Sequence, residues 1–267
     1  MDASDDGIDS ATLIASYVED VDREFKARID AWPPDFAKIH VHEVIGGMLA
    51  RQATLSKEIA SAPQLWNGHS APIMLRAMAD VYINIAWLLL DPADRCLKFI
   101  SFGLGQAKLE FEHRRAEIGE RQPTAEETAF LEAFERWIDT QRLMFLQDVD
   151  LGKWSGISVR QMAEEAGCLD FYNFVYTPFS ACAHSMWNHI ARYNLITCTN
   201  PLHRLHRRPM SPIGEPELHY LLLAAKYWMK TLDTFDERTG IGVTCPSAYE
   251  ALVATLSTGG ANTPESK

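Results

Sequence analysis

Two stripes of polar side chains stand out because each lies in an otherwise apolar stretch. In Ile73–Leu90 the exceptions are Arg76, Asp80 and Asn84, at steps of four. At about 100° per residue, steps of four keep side chains on one slowly drifting helix face. Arg76 and Asp80 can therefore pair one turn apart, and a buried guanidinium needs such a partner. The second stripe is Tyr176, Ser180, His184 and Asn188, again at steps of four, among Phe174, Phe179, Ala183, Trp187 and similar residues. Hydroxyl, imidazole and amide groups on one face can move protons or hold a ligand. His184 is the natural acid or base, since an unperturbed imidazole titrates near pH 6.5.

A buried polar group requires a partner, and each stripe can supply the other's. The expected site is thus a seam between two apolar helices. In it Arg76 orients an anionic group, Asp80 holds Arg76, and His184 acts as acid or base with Ser180 and Tyr176, with Asn188 as a further binding group. The competing reading uses the same residues without chemistry: a structural ion pair and a satisfied core histidine that specify helix packing. Spacing alone leaves both open.

The elements that must position these stripes are helical throughout. Ser10 can cap a first helix reaching Ala31, stopped by Trp32-Pro33-Pro34, because proline removes a donor and clashes with the preceding turn. A second helix is expected over 36–60, where Gly46-Gly47 suggests close approach of a neighbouring backbone. The third covers 72–90, and Asp91-Pro92 opens a fourth reaching about 120. Thr124 and Glu127 have capping-box spacing at the start of a fifth. A short sixth over 158–166 closes at Gly167, a long seventh spans 170–196 with a disturbance at Thr177-Pro178, and an eighth and ninth cover 215–235 and 247–256. No period-two alternation is long enough for a sheet. The expectation is an all-α, single-domain bundle of eight or nine helices over 10–257, with flexible ends at 1–9 and 258–267.

Composition narrows the function classes. Hydrophobic residues make up 47% and charged residues 23%, so the chain can build a core. A net charge of −11 disfavours general tracking of phosphates. The five cysteines, at 96, 168, 182, 198 and 245, include no CxxC pair, which suits reduced thiols and a cytoplasmic location. The acidic start MDASDDGIDS is unlike a signal peptide. Ile73–Leu90 has nearly the length of a membrane span, but its charged residues point to a buried helix in a protein without a membrane segment.

Other motifs carry less. Glu110 and His113 form one Glu-x-x-His pair without the second that a di-iron bundle needs. His42-Glu43 begins a zincin-like motif whose second histidine position holds Gly46. Glu43 remains a binding candidate, and a metal would require Glu43, Asp80 and His184 to converge; no metal or cofactor is assigned. The segment 159–174 imitates a helix-turn-helix, but its would-be recognition helix is too apolar for a major groove, so sequence-specific DNA binding is not expected. Arg204 and Arg207, within the basic run 203–208, could grip an anion, RNA or an acidic protein surface.

Several stretches in order then become familiar: Leu75-Arg76-Ala77-Met78-Ala79-Asp80, Ala86-Trp87-Leu88-Leu89-Leu90-Asp91, Lys153-Trp154, the run from Val159 to Gly167, and Tyr172, Tyr176, Ser180 and His184. Together they resemble the bacterial domain-of-unknown-function family numbered 5677, over roughly residues 40–195. The resemblance implies an all-helical fold and marks Arg76, Asp80, Trp154, Tyr176, Ser180 and His184 as characteristic positions, Trp154 as a binding residue. Two departures stand out: Asp80 where the family commonly has Glu, and Thr177 where it often has Arg. With that Arg the stretch would look like the Arg-x(4–6)-His motif of the HEPN ribonucleases of toxin and phage-defence systems. No Arg in this chain precedes a His at that spacing, so the likeness extends to helical architecture alone. Two functional expectations follow. One is a nuclease-like or ligand-binding component of a bacterial defence or toxin system. The other is a non-catalytic helical module that binds a protein partner or a second copy of itself.

Overall fold

The computed structural model describes residues 10–119, 121–145 and 155–260. The helices are α1 (Ser10–Ala31), α2 (Ile39–Ser61), α3 (Ala71–Leu88), α4 (Pro92–Ile118), α5 (Ala125–Phe145), α6 (Val159–Glu165), α7 (Leu169–Phe171), α8 (Thr177–Ala183), α9 (Trp187–Tyr193), α10 (His219–Thr239) and α11 (Ala248–Gly260). The fold is all-α, with one small antiparallel ribbon, β1 (Leu195–Thr197) and β2 (Arg207–Pro209). The expected flexible N-terminus, 1–9, lies outside the described residues, and at the other end α11 continues to Gly260, past the expected boundary at 257.

The core gathers around α3. Leu75, Met78, Ala79, Ile83, Ile85 and Leu88 are fully buried, which accounts for a helix apolar on nearly every side. No helix of the described residues is long and apolar enough to cross a membrane. Around α3 pack α2, α10, α6 and the run from α7 to α8, and α1 and α11 complete the buried cluster from the far side. On the other side α5 lies along α4 through Phe111, Phe130 and Phe134.

The caps follow local chemistry. Thr124 and Glu127 form reciprocal hydrogen bonds at the start of α5, and Ser158 and Gln161 do the same for α6. Asp91 precedes α4 as expected but makes no side-chain cap bond. Gly46 and Gly47 do not mark a close backbone approach: the nearest neighbour to a side chain at 46 would be the Ile29 side chain at 3.9 Å, and nothing lies within 4 Å at 47.

The helix count exceeds the expected eight or nine chiefly because the seventh predicted helix is divided. Leu169–Phe171 passes into a π-helical turn, Tyr172–Tyr176, before α8. The cause is Pro178, which cannot donate to the carbonyl four residues back and crowds it. Widening to a π-turn, in which the Thr177 N–H donates to the Tyr172 carbonyl, lets the helix pass the proline. Tyr176 and Thr177 both keep helical dihedrals, so Thr177 is not an N-cap. The second break falls at Ser185, in the left-handed region at φ 49°. There Met186 N–H donates to the Ala181 carbonyl and Ser185 N–H to that of Cys182, closing α8 by a Schellman motif. The ribbon is likewise additional to the expectation; at three residues per strand it is too short to show alternation.

Candidate functional site

The polar seam between α3 and α8 exists for four of its expected members. Arg76 Nε donates to Ser180 Oγ at 2.6 Å, and its Nη1 pairs with Asp80. The guanidinium carbon lies 3.3 Å from the centre of the Tyr176 ring, a cation–π stack. Ser180 in turn donates to the Tyr176 carbonyl at 2.8 Å, and Tyr172 stacks on Tyr176 at 4.8 Å. The π-turn carries both tyrosines, so the irregularity that accommodates Pro178 also sets the ring over Arg76.

Burial defines the electrostatics. The Arg76 side chain is 13% exposed and that of Asp80 41%. Burial pushes the Asp80 carboxyl up, opposed by the Arg76 charge, and burial together with Asp80 pushes the Tyr176 phenol up. Of the five guanidinium donors, those on Nη2 meet no acceptor among the described residues.

His184 leaves this seam. Contacts run in opposite order along the two helices: Tyr176 and Ser180 meet Arg76, whereas Cys182 Sγ approaches the Gly68 and His69 carbonyls at 3.7 and 3.3 Å. The helices are therefore antiparallel, and His184 follows Cys182 past the N-terminal end of α3. It is the exposed C-cap of α8, and its imidazole bonds to no described residue. Asn188, on α9 beyond the Ser185 break, is also exposed.

The remaining candidates scatter. Glu43 is exposed on α2, at the edge of an open groove of about 410 Å³ between α2, α4 and α5. Arg204 and Arg207 are exposed on the β1–β2 connection and β2. Trp154 lies outside the described residues. The would-be recognition helix is not free, since Phe171 is buried against Tyr82 and Tyr227.

Two clusters were not singled out from spacing. At the end of the seam the rings of His69, His189 and Tyr193 lie 4.8–5.6 Å apart in pairs. Burial and the neighbouring His69 push His189 down. Tyr193 is so close to the turn before α3 that a Cβ on Gly68 would sit 2.4 Å from its ring. With 119 residues between His69 and His189, no local pattern announces the meeting. The other cluster is Cys198, His203 and His206, whose ligand atoms all lie within 4.8 Å of one another. Among the described residues this trio forms the metal-ligand grouping, and Glu43, Asp80 and His184 do not converge.

No curated protein and no solved structure matches the chain. A family model, described as a family of unknown function, does match it over residues 42–200, a stretch that takes in the whole α3–α8 seam and ends just beyond β1. With more than half of its length matched, the chain belongs to the family DUF5677.

Proposed function

We propose that this protein is a non-catalytic helical module that self-associates, with the basic, apolar face of one copy against the acid-rich helix α5 of a second. The observation that carries this reading is an imbalance of charge. Residues 171–214 contain no Asp or Glu in a chain of 36 acidic residues, yet include Arg192, Arg204, Arg207 and Arg208, all exposed. The same stretch holds the most exposed large apolar side chains of the described residues: Leu202 at 89%, Leu205 at 97% and Ile213 at 97%. Apolar groups set among arginines make an interface surface rather than a solubilising one. Helix α5 carries Glu126, Glu127, Glu132, Glu135 and Asp139 against Arg136 and Arg142, with Phe130 and Trp137 exposed beside them, the complementary composition. In this reading Arg76 is a packing device, held by Asp80, Ser180 and Tyr176, and the exposed His184 has no part in it.

Sedimentation velocity across a concentration series tests the reading. A dimer that weakens as salt rises, and weakens further in Arg204→Glu/Arg207→Glu, is expected. A monomer at every concentration in low salt would sink it.

One observation favours a second reading, a ligand or nuclease-type site at Arg76. Nη2 has no described acceptor and Asp80 is part-exposed, so donors remain for a phosphate. Wild-type protein that hydrolyses an RNA oligonucleotide, with loss in Arg76→Lys, is the outcome this reading requires; an inert wild type removes it.

A further inference from the structure

We propose that Cys198, His203 and His206 form a zinc-binding site that leaves a fourth coordination position open. This inference is independent of self-association and rests on how the ribbon brings the three side chains together. β1 and β2 pair with Thr197 opposite Arg207, and one step further the Cys198 N–H donates to the His206 carbonyl at 2.9 Å. Residues 198 and 206 are therefore cross-strand neighbours, whose side chains emerge about 5 Å apart. The connection then doubles back: His203 N–H donates to the Asn200 carbonyl and His206 N–H to that of His203. Leu205 takes a left-handed φ of 61°, a conformation that a leucine rarely adopts. The strained turn brings the His203 and His206 rings together, with centres 5.4 Å apart and planes at 81°.

The distances suit a tetrahedral ion. Zn–S bonds of about 2.3 Å and Zn–N bonds of about 2.0–2.1 Å place sulfur and nitrogen ligands about 3.6 Å apart. Cys198 Sγ and His203 Nδ1 are separated by 3.7 Å, and all three ligand atoms lie within 4.8 Å. Sidechain rotation of exposed histidines supplies the remaining closure. On the other ring nitrogen of His203, Asn200 Nδ2 approaches to 3.3 Å. Metal on Nδ1 places the ring proton on Nε2, so this contact must be exchanged on binding.

The surroundings select the ion. Arg204, Arg207 and Arg208 repel any cation, and no carboxylate offsets them between 171 and 214. A hard ion such as magnesium or calcium, held chiefly by charge on oxygen ligands, is thereby excluded. Zinc forms strong bonds to thiolate and imidazole and tolerates the repulsion better. Three protein ligands are the number that leaves room for a water or another group.

The test uses the full chain, stripped with a chelator and titrated with Co²⁺, then Zn²⁺. One equivalent should bind with a thiolate-to-cobalt charge-transfer band and the intense visible absorption of tetrahedral cobalt, both abolished by zinc. Cys198→Ser should remove the charge-transfer band and weaken binding by more than about 100-fold, beyond the roughly 10–100-fold cost of losing an outer partner. His206→Ala should also weaken it, and Cys245→Ser should not. None of the three ligands belongs to the buried core, so circular dichroism should show unchanged helix in each variant. Absence of binding, or binding indifferent to Cys198→Ser or His206→Ala, overturns the proposal.

Discussion

Between α1 and α10, Arg28 grips Asp236 through paired hydrogen bonds of 2.7–3.1 Å while Glu24 accepts from Trp228 Nε1 at 2.8 Å. Between α3 and α8, Arg76 grips Asp80, Ser180 and the Tyr176 ring. Both seams centre on an arginine that grips one carboxylate, but the first, which also encloses Glu24, is closed and the second is not. Arg28 is 8% exposed and Asp236 23%, against 41% for Asp80. Glu24 is 3% exposed, and burial pushes its carboxyl up despite Trp228 and Arg28. By residue type, then, a buried charge network and a functional candidate look alike. Access of water separates them, because it decides whether a lost partner is replaced by solvent.

The strongest test of the comparison is Asp236→Ala, which leaves the Arg28 guanidinium buried without its partner. A loss of about 3–5 kcal/mol in urea unfolding is expected. A loss below about 1 kcal/mol would mean that water reaches Arg28 and the two seams are not different in kind. Next comes Arg76→Ala, expected to cost about 2 kcal/mol, from a charged hydrogen bond and a cation–π contact, with Asp80 falling back on solvent. A cost equal to that of Asp236→Ala would erase the distinction.

Glu24→Gln gives a pH-dependent effect. Gln can still accept from Trp228, but it removes a carboxyl whose folded pKa is raised above its unfolded value. Such a group contributes stability at low pH and loses it as pH rises through the folded pKa. Wild-type stability should therefore fall relative to the variant as pH rises above the ordinary glutamate range of about 4.3, with the two converging in acid. Thermal melts at a series of pH values would show it, and parallel curves would refute it. Smallest is His184→Ala, expected to change stability by less than about 0.5 kcal/mol, as an exposed side chain without a bonded neighbour should. A larger loss would return His184 to the seam.

Legibility followed sequence distance. Arg76–Asp80 and Tyr176–Ser180 could be read because one helical turn separates each pair, and the apolar setting announced that they needed partners. Arg28 and Asp236, 208 residues apart, could not, since neither position is unusual in its own helix. The two chain reversals after α6 and α8 show the same limit at close range. Both are Schellman closures with a left-handed residue; Gly167 announces the first, but Ser185 fills the glycine position of the second. The stripe at steps of four therefore ran on through His184 and Asn188 in the sequence and stopped at Ala183 in the molecule.

The helical class, most helix ends and the pairing of Arg76 with Asp80 were legible along the chain, because periodicity, capping and one-turn neighbours are local. That His184 faces away, that Glu24 and Arg28 are enclosed, and that a short ribbon brings Cys198 to His206 came from packing between separate segments. Those outcomes depend on which surfaces meet, and burial is a property of the pair rather than of either segment.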